Sequence, residues 1–129
     1  MVRYQGEDIP FTISIKKMQA SDADSWFVFK HVYVYFYTQT SKIAKFDCSF
    51  LENKKGIDKN GDTHQPFDSI DERKIAGTIH TGYSKLMHGA LYMDILVRQD
   101  DNNNNIESIR RINTGIEILS TPIKIEAYD

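Results

Sequence analysis

The sequence pattern most similar to a metal-binding loop is Asp58, Asn60 and Asp62, which place an oxygen-bearing side chain at every second position. Alternating oxygen ligands are typical of calcium-binding loops, because Ca²⁺ takes carboxylate and amide oxygens. An EF-hand loop has glycine as its sixth residue and glutamate as its twelfth. Here Gly61 is the fourth residue and Ser69 the twelfth. We therefore predict no metal site, and these three residues are a weak calcium candidate within a solvated turn.

Zinc binding and nucleophilic catalysis have even less support in the sequence. The single cysteine, Cys48, excludes CxxC clusters and internal disulfides, and a lone cysteine in a strand is usually a small buried apolar residue. No GxSxG, P-loop or dinucleotide-binding pattern is present. The histidines lack an HExxH or other dense ligand spacing; they are His31, His64, His80 and His88. We predict that the protein is not an enzyme and uses no cofactor.

The most suggestive surface feature is a row of three tyrosines, Tyr33, Tyr35 and Tyr37, with Trp26 nearby in the sequence. Tyrosine and tryptophan dominate protein-binding hot spots and also stack on sugars. Three interpretations stay open: the rings pack on a loop or a second sheet, they form a protein interface, or they form a glycan platform. A net charge of −2 disfavours base stacking, since it supplies no attraction for phosphates.

The tyrosines belong to the longest strand pattern in the chain, residues 27–38. Aliphatic and aromatic residues of one parity alternate with the tyrosines of the other, and this period of two is typical of a half-buried strand. The aliphatic parity should face the core; it comprises Val28, Val32, Val34 and Phe36. The tyrosines would then lie on the outer face, although a register error of one residue would exchange the two faces.

The rest of the chain repeats short alternating segments separated by turn-forming residues. About seven antiparallel strands and almost no helix predict an all-β fold, an immunoglobulin-like β-sandwich, with a small barrel as the alternative. Periodicity fails over residues 52–73, which we predict to be one long loop. Residues 1–129 should form a single domain. The predicted structural turns involve Gly6, Pro10, Gly89 and Gly115, with Pro10 at the start or edge of a strand.

Composition narrows the class of protein further. The chain has 40% hydrophobic and 26% charged residues, which is ordinary for a globular domain. It has neither the apolar segment of a signal peptide at its start nor the roughly 20 apolar residues needed to cross a bilayer. We expect a protein that is soluble and cytoplasmic when synthesised, with no nucleic-acid or membrane partner.

Three segments of the sequence resemble a known family: residues 6–13, residues 86–95 and residues 112–118. They contain a Gly-Glu-Asp-Ile-Pro start, a Leu-Met-His-Gly-Ala-Leu-Tyr turn leading into a strand with Asp94, and a late Gly115 followed by alternating aliphatic residues. In order and spacing they are similar to the small β-sandwich modules of phage and prophage tail regions, such as the N-terminal domain of baseplate upper proteins.

This resemblance implies a function that periodicity alone does not indicate. Modules of this family generally hold other parts of a particle together and carry no active site. The expectation is therefore a non-enzymatic structural or interaction module of a phage-like tail or baseplate, with protein partners that include copies of itself and incorporation into a phage-like particle. The alternative is a carbohydrate-binding module that uses the aromatic strand face.

Overall fold

The computed structural model describes residues 1–15, 25–40, 43–49, 64–98 and 106–120. Within these ranges the chain forms nine strands, one 3₁₀ turn (Trp26–Val28) and one short helix, α1 (Thr81–Ser84). The strands are β1 (Val2–Tyr4), β2 (Ile9–Ser14), β3 (His31–Tyr37), β4 (Ala44–Ser49), β5 (His64–Gln65), β6 (Ser69–Ile70), β7 (Lys74–Ile79), β8 (Gly89–Arg98) and β9 (Ile106–Leu119). No helix in this part of the chain is long and apolar enough to span a membrane.

The strands form two sheets. The large sheet has the order β1-β9-β8-β3-β4-β5, and the small sheet has the order β2-β7-β6. In immunoglobulin lettering, β1, β2 and β3 are strands A, B and C, β4 and β5 are C′ and C″, and β6 to β9 are D to G. The large sheet then contains the order G-F-C-C′, and the small sheet has the order B-E-D. This is the order of a variable-type immunoglobulin sandwich. The predicted all-β sandwich is confirmed.

The strand count and two of the pairings differ from the prediction. The described residues contain nine strands rather than about seven, and β1–β9 and β4–β5 pair in parallel. Part of the predicted loop 52–73 is strand, since β5 and β6 lie within it, whereas residues 52–63 lie outside the described ranges. Strands of two or three residues leave no readable alternation, so periodicity could not reveal them.

The start of the long strand also differs from the prediction of a continuous strand over residues 27–38. The Ser25 hydroxyl accepts a hydrogen bond from the Phe27 amide at 3.1 Å and caps the 3₁₀ turn. The Phe29 amide then donates to the Trp26 carbonyl at 3.0 Å. Because these bonds keep the backbone turned, β3 begins only at His31.

The core lies between the two sheets and contains a cluster of four phenylalanines: Phe11, Phe36, Phe46 and Phe67. The Phe11 ring centroid lies 4.6 Å from that of Phe36 and 4.8 Å from that of Phe46, and Phe46 lies 5.5 Å from Phe67. Phe11 belongs to the small sheet, and Phe36 and Phe46 belong to the large one. This phenylalanine cluster therefore joins the two sheets through tilted and edge-to-face contacts.

Gly6 lies in a turn and Gly89 opens β8, as predicted, whereas Gly115, which was predicted at a turn, lies within β9. Gly6, Gly89 and Gly115 have φ values of +85°, +99° and +81°. Gly89 makes the change from the α1 region into β8, which is the positive-φ role expected of it. Pro10 lies near the start of β2, an edge strand of the small sheet, where its missing N–H is tolerated.

Candidate interaction surface

The outer side of β3 carries the tyrosine row. Val32 and Val34 are fully buried, while Tyr33, Tyr35 and Tyr37 keep part of their surface exposed. The aliphatic parity therefore faces the core, as the alternation predicts, and the tyrosines face away from it. We call the three tyrosines, the side chains that contact them (Lys45, Tyr92 and Asp94) and the two arginines that contact Asp94 and Tyr92 (Arg110 and Arg111) the tyrosine face.

Lys45 on the neighbouring strand β4 bridges two of the rings. It lies opposite Tyr35 in the β3–β4 register. Its Nζ atom lies 5.4 Å from the Tyr33 ring centroid and 5.6 Å from the Tyr35 ring centroid. An ammonium at this distance is attracted to the negative face of each ring. One cation thus restricts the orientation of two adjacent tyrosines.

Asp94 on β8 fixes the third tyrosine. The Tyr37 hydroxyl donates to Asp94 Oδ1 at 2.8 Å, and the backbone N–H of Arg111 donates to the same oxygen at 2.7 Å. Arg110 Nη1 lies 3.3 Å from Asp94 Oδ2. The carboxylate is largely buried, with 18% of its side chain exposed, whereas 69% of the Arg110 side chain is exposed. Asp94 is therefore the centre of a hydrogen-bonded group that joins β3, β8 and β9.

The Arg110–Arg111 pair forms a β-bulge opposite Asp94. Met93 pairs with Ile112 and Ile95 with Ile109, so two residues of β9 oppose one residue of β8. Arg111 has a φ of +58°, an uncommon conformation for a residue with a Cβ. The charge-assisted hydrogen bond from its N–H to Asp94 offsets that cost.

The bulge also extends the aromatic row onto β8. The Arg111 guanidinium carbon lies 5.5 Å from the Tyr92 ring centroid. Tyr92 in turn stacks on Tyr37, with ring centroids 6.0 Å apart and an interplanar angle of 28°. The four rings of the tyrosine face therefore follow two adjacent strands, with cations on both sides.

The environment of Tyr37 raises the pKa of its phenol. Burial disfavours the phenolate, the hydrogen bond to Asp94 stabilises the protonated form, and the negative charge of Asp94 acts in the same direction. The Tyr37 hydroxyl therefore stays protonated at neutral pH. In this state it is a hydrogen-bond donor to Asp94 and a poor nucleophile or base.

A depression of about 490 Å³ lies on the tyrosine face. Tyr35, Tyr37 and Asp94 line one part of it, Arg110 lines another, and the half-exposed Ile43 contributes an apolar wall. Aromatic and aliphatic surface next to an exposed guanidinium is the composition found at the centre of many protein interfaces.

Trp26 does not belong to this surface, so that part of the prediction is wrong. Only 4% of the residue is exposed, and it packs in the hydrophobic core. Its backbone N–H donates to the Glu72 carbonyl at 2.7 Å, which ties the 3₁₀ turn to the segment between β6 and β7. The closeness of Trp26 to the tyrosines in the sequence could not reveal its burial, because the 3₁₀ turn directs the indole to the core side of the sheet.

The other chemical candidates gain no support. The calcium candidate Asp58, Asn60 and Asp62 lies outside the described residues. In the described ranges, no group of three or more histidine, cysteine, aspartate or glutamate side chains could hold a metal ion. Cys48 is 1% exposed and packs in the core, which is the predicted apolar role.

Sequence reasoning missed the residues that organise the tyrosine face: Lys45, Tyr92, Asp94, Arg110 and Arg111. A signal for Asp94 was available, since it is a carboxylate in the middle of a clear strand pattern, at a position of the outward parity. What joins it to Tyr37 and Arg111 is the pairing of β8 with β3 and β9, which alternation does not specify. Neither family models nor curated proteins nor solved structures give a significant match to the chain.

Proposed function

We propose that this protein is a non-enzymatic interaction module that binds a protein partner through the tyrosine face. The observation that carries the proposal is the fixed outward row of tyrosine rings on a central strand. Lys45 restricts two of the rings and Asp94 holds the third. Side chains already ordered before binding lose less conformational entropy when a partner covers them, so aromatic area of this kind binds efficiently.

The charges of the surface indicate what kind of partner fits it. The carboxylate of Asp94 is engaged within the protein, whereas the Arg110 guanidinium is mostly exposed. Lys45 also adds a positive charge between two rings. A partner surface with apolar or aromatic side chains and a nearby carboxylate would complement this pattern.

The resemblance of three sequence segments to phage-tail β-sandwich modules supports a place in a phage-like tail or baseplate assembly. A module of this type would connect components of the particle and carry no catalytic residues. In that context the expected partners are other structural proteins of the same particle.

The proposal is tested by co-purification. The tagged chain is co-expressed with the products of the flanking genes, and complexes are measured with wild type, with Tyr35→Ala/Lys45→Ala, and with Lys74→Ala. Lys74 is an exposed lysine on the other sheet and is the matched control. We expect the double variant to lose the partner and the control to keep it. Retention of the partner by a folded double variant would overturn the proposal.

The carbohydrate-binding alternative loses one of its four aromatic residues, because Trp26 is buried. The tyrosines alone would have to supply the stacking surface. A glycan array with the same variants separates the two functions. Glycan binding that disappears in Tyr35→Ala/Lys45→Ala would favour the carbohydrate module over the assembly module.

A further inference from the structure

Among the four strands that end the two sheets in the described part of the chain, β2 is the longest. The large sheet ends at β1 and β5, which have three and two residues, and the small sheet ends at the two-residue β6 and at β2. β2 has six residues. Very short edge strands offer little backbone to a partner, whereas a long one is a template for strand addition.

The pairing of β7 shows which backbone groups of β2 point to this edge. The Asp68 N–H donates to the Ala76 carbonyl at 2.6 Å, so Ala76 directs its backbone groups toward β6. Because these directions alternate along a strand, Gly77 directs its groups toward β2, where it pairs with Phe11. Phe11 therefore bonds to β7, and the residues on either side of it direct their backbone groups to the open edge.

Pro10, Thr12 and Ser14 thus supply the groups available at the edge of β2. Thr12 and Ser14 each offer an N–H and a carbonyl, and Pro10 offers a carbonyl alone. This arrangement is self-complementary about Thr12. When two copies of β2 pair antiparallel with Thr12 opposite Thr12, Ser14 of each copy faces Pro10 of the other. The two threonines exchange two hydrogen bonds and each Ser14 N–H reaches a Pro10 carbonyl.

Apolar surface lies beside the same edge. A groove of about 440 Å³ runs along β2 toward the large sheet, and the partly exposed side chains of Phe11, Met93, Ile112 and Ile116 line it. In immunoglobulin sandwiches strand A continues this sheet beyond strand B. Here β1 pairs with β9 of the large sheet instead, so no described strand occupies the position beside β2.

We propose that a second copy of this chain occupies that position, through antiparallel β2–β2 pairing about a two-fold axis at Thr12. The contact is isologous, because the same edge serves both copies. It joins two three-stranded sheets into one of six strands and leaves the tyrosine face of each copy open. The pair of copies would then present two binding faces, which raises avidity for a repetitive assembly.

The test is light scattering coupled to size-exclusion chromatography, with sedimentation equilibrium for the dissociation constant. Wild type should dimerise in a concentration-dependent way. Thr12→Pro removes two of the four predicted hydrogen bonds without touching the β2–β7 ladder, so dimerisation should weaken at least about tenfold. Thr12→Ala keeps the N–H and should dimerise like wild type. Tyr35→Ala/Lys45→Ala should also dimerise, which separates this proposal from that for the tyrosine face.

A pair of variants with opposite charges at position 12 tests whether Thr12 lies opposite Thr12 of the second copy. This test does not depend on whether Thr12→Pro folds. Thr12→Lys and Thr12→Asp place like charges directly opposite each other, and each variant alone should dimerise less than wild type. An equimolar mixture should form heterodimers above the statistical proportion. Wild type that stays monomeric into the millimolar range, variants that dimerise like wild type, or a mixture without heterodimers would each overturn the proposal.

Discussion

The two sides of β3 carry two aromatic groups of opposite character. On the inner side, Phe36 belongs to the phenylalanine cluster, whose rings contact one another within the core. On the outer side, the tyrosine rings contact Lys45 and Asp94 and remain partly exposed. Rings of nearly the same size are therefore packed in the core on one side of the strand and partly exposed on the other. The hydroxyl makes the difference, since it requires a polar partner or water.

The largest expected loss of stability comes from a substitution in the phenylalanine cluster. Phe46 is fully buried and contacts Phe11, Phe36 and Phe67. Phe46→Ala should lower the free energy of unfolding by about 3–5 kcal/mol, because it removes a buried ring and leaves a cavity. Tyr35→Ala should cost less, about 1 kcal/mol, since the ring is only partly buried and a cavity does not form in the core. Urea unfolding followed by circular dichroism measures both, and equal losses would contradict the comparison.

An intermediate effect is expected at Asp94. Asp94→Ala removes the acceptor of the Tyr37 hydroxyl and of the Arg111 N–H, and should destabilise the protein by about 1–2 kcal/mol. Asp94→Asn is the matched control, because its side-chain oxygen can still accept and only the charge is lost. We expect Asn to recover most of the stability in urea unfolding. Equal destabilisation by both variants would show that the charge, and not the hydrogen bonds, holds the bulge.

The smallest effect concerns the pKa of Tyr37. Because the folded-state pKa is raised, the folded protein retains this proton after the unfolded chain has lost it. The contribution to stability is therefore complete below the pKa of an unfolded tyrosine, about 10, and declines as the pH rises toward the folded-state pKa. In Asp94→Asn the tyrosine pKa should fall toward its ordinary value. Ultraviolet difference titration of wild type and this variant measures the shift, with Tyr37→Phe identifying the signal.

Strands with clear alternation and the residues of tight turns could be predicted from the sequence, because the pattern that identifies each of them lies within a few consecutive residues. Alternation of Val32 and Val34 with the tyrosines indicated both the strand and its inner face, since successive side chains point to opposite sides of a sheet. Gly89 marked a turn that needs a positive φ, and Pro10 marked an edge strand. These features depend on neighbours within a few residues, and the structure agrees with them.

Trp26 shows the limit of this reasoning. Its hydrophobicity and its closeness to the tyrosines in sequence suggested a common surface, but the 3₁₀ turn capped by Ser25 places the indole in the core. Strands β5 and β6 were missed for a related reason. Elements of two residues are held by their partners and have no periodicity of their own.

The sequence by itself determined an all-β chain, the placement of three tyrosines on one side of a strand and the turns that separate the strands, because alternation and turn chemistry act locally. Only the tertiary structure decided that Lys45 lies between two rings, that Asp94 joins Tyr37 to the bulge at Arg111, and that β2 remains an open edge. These features arise from the pairing of strands that are distant in sequence. Backbone hydrogen bonds form between any two strands, so side-chain patterns alone do not specify which strands pair.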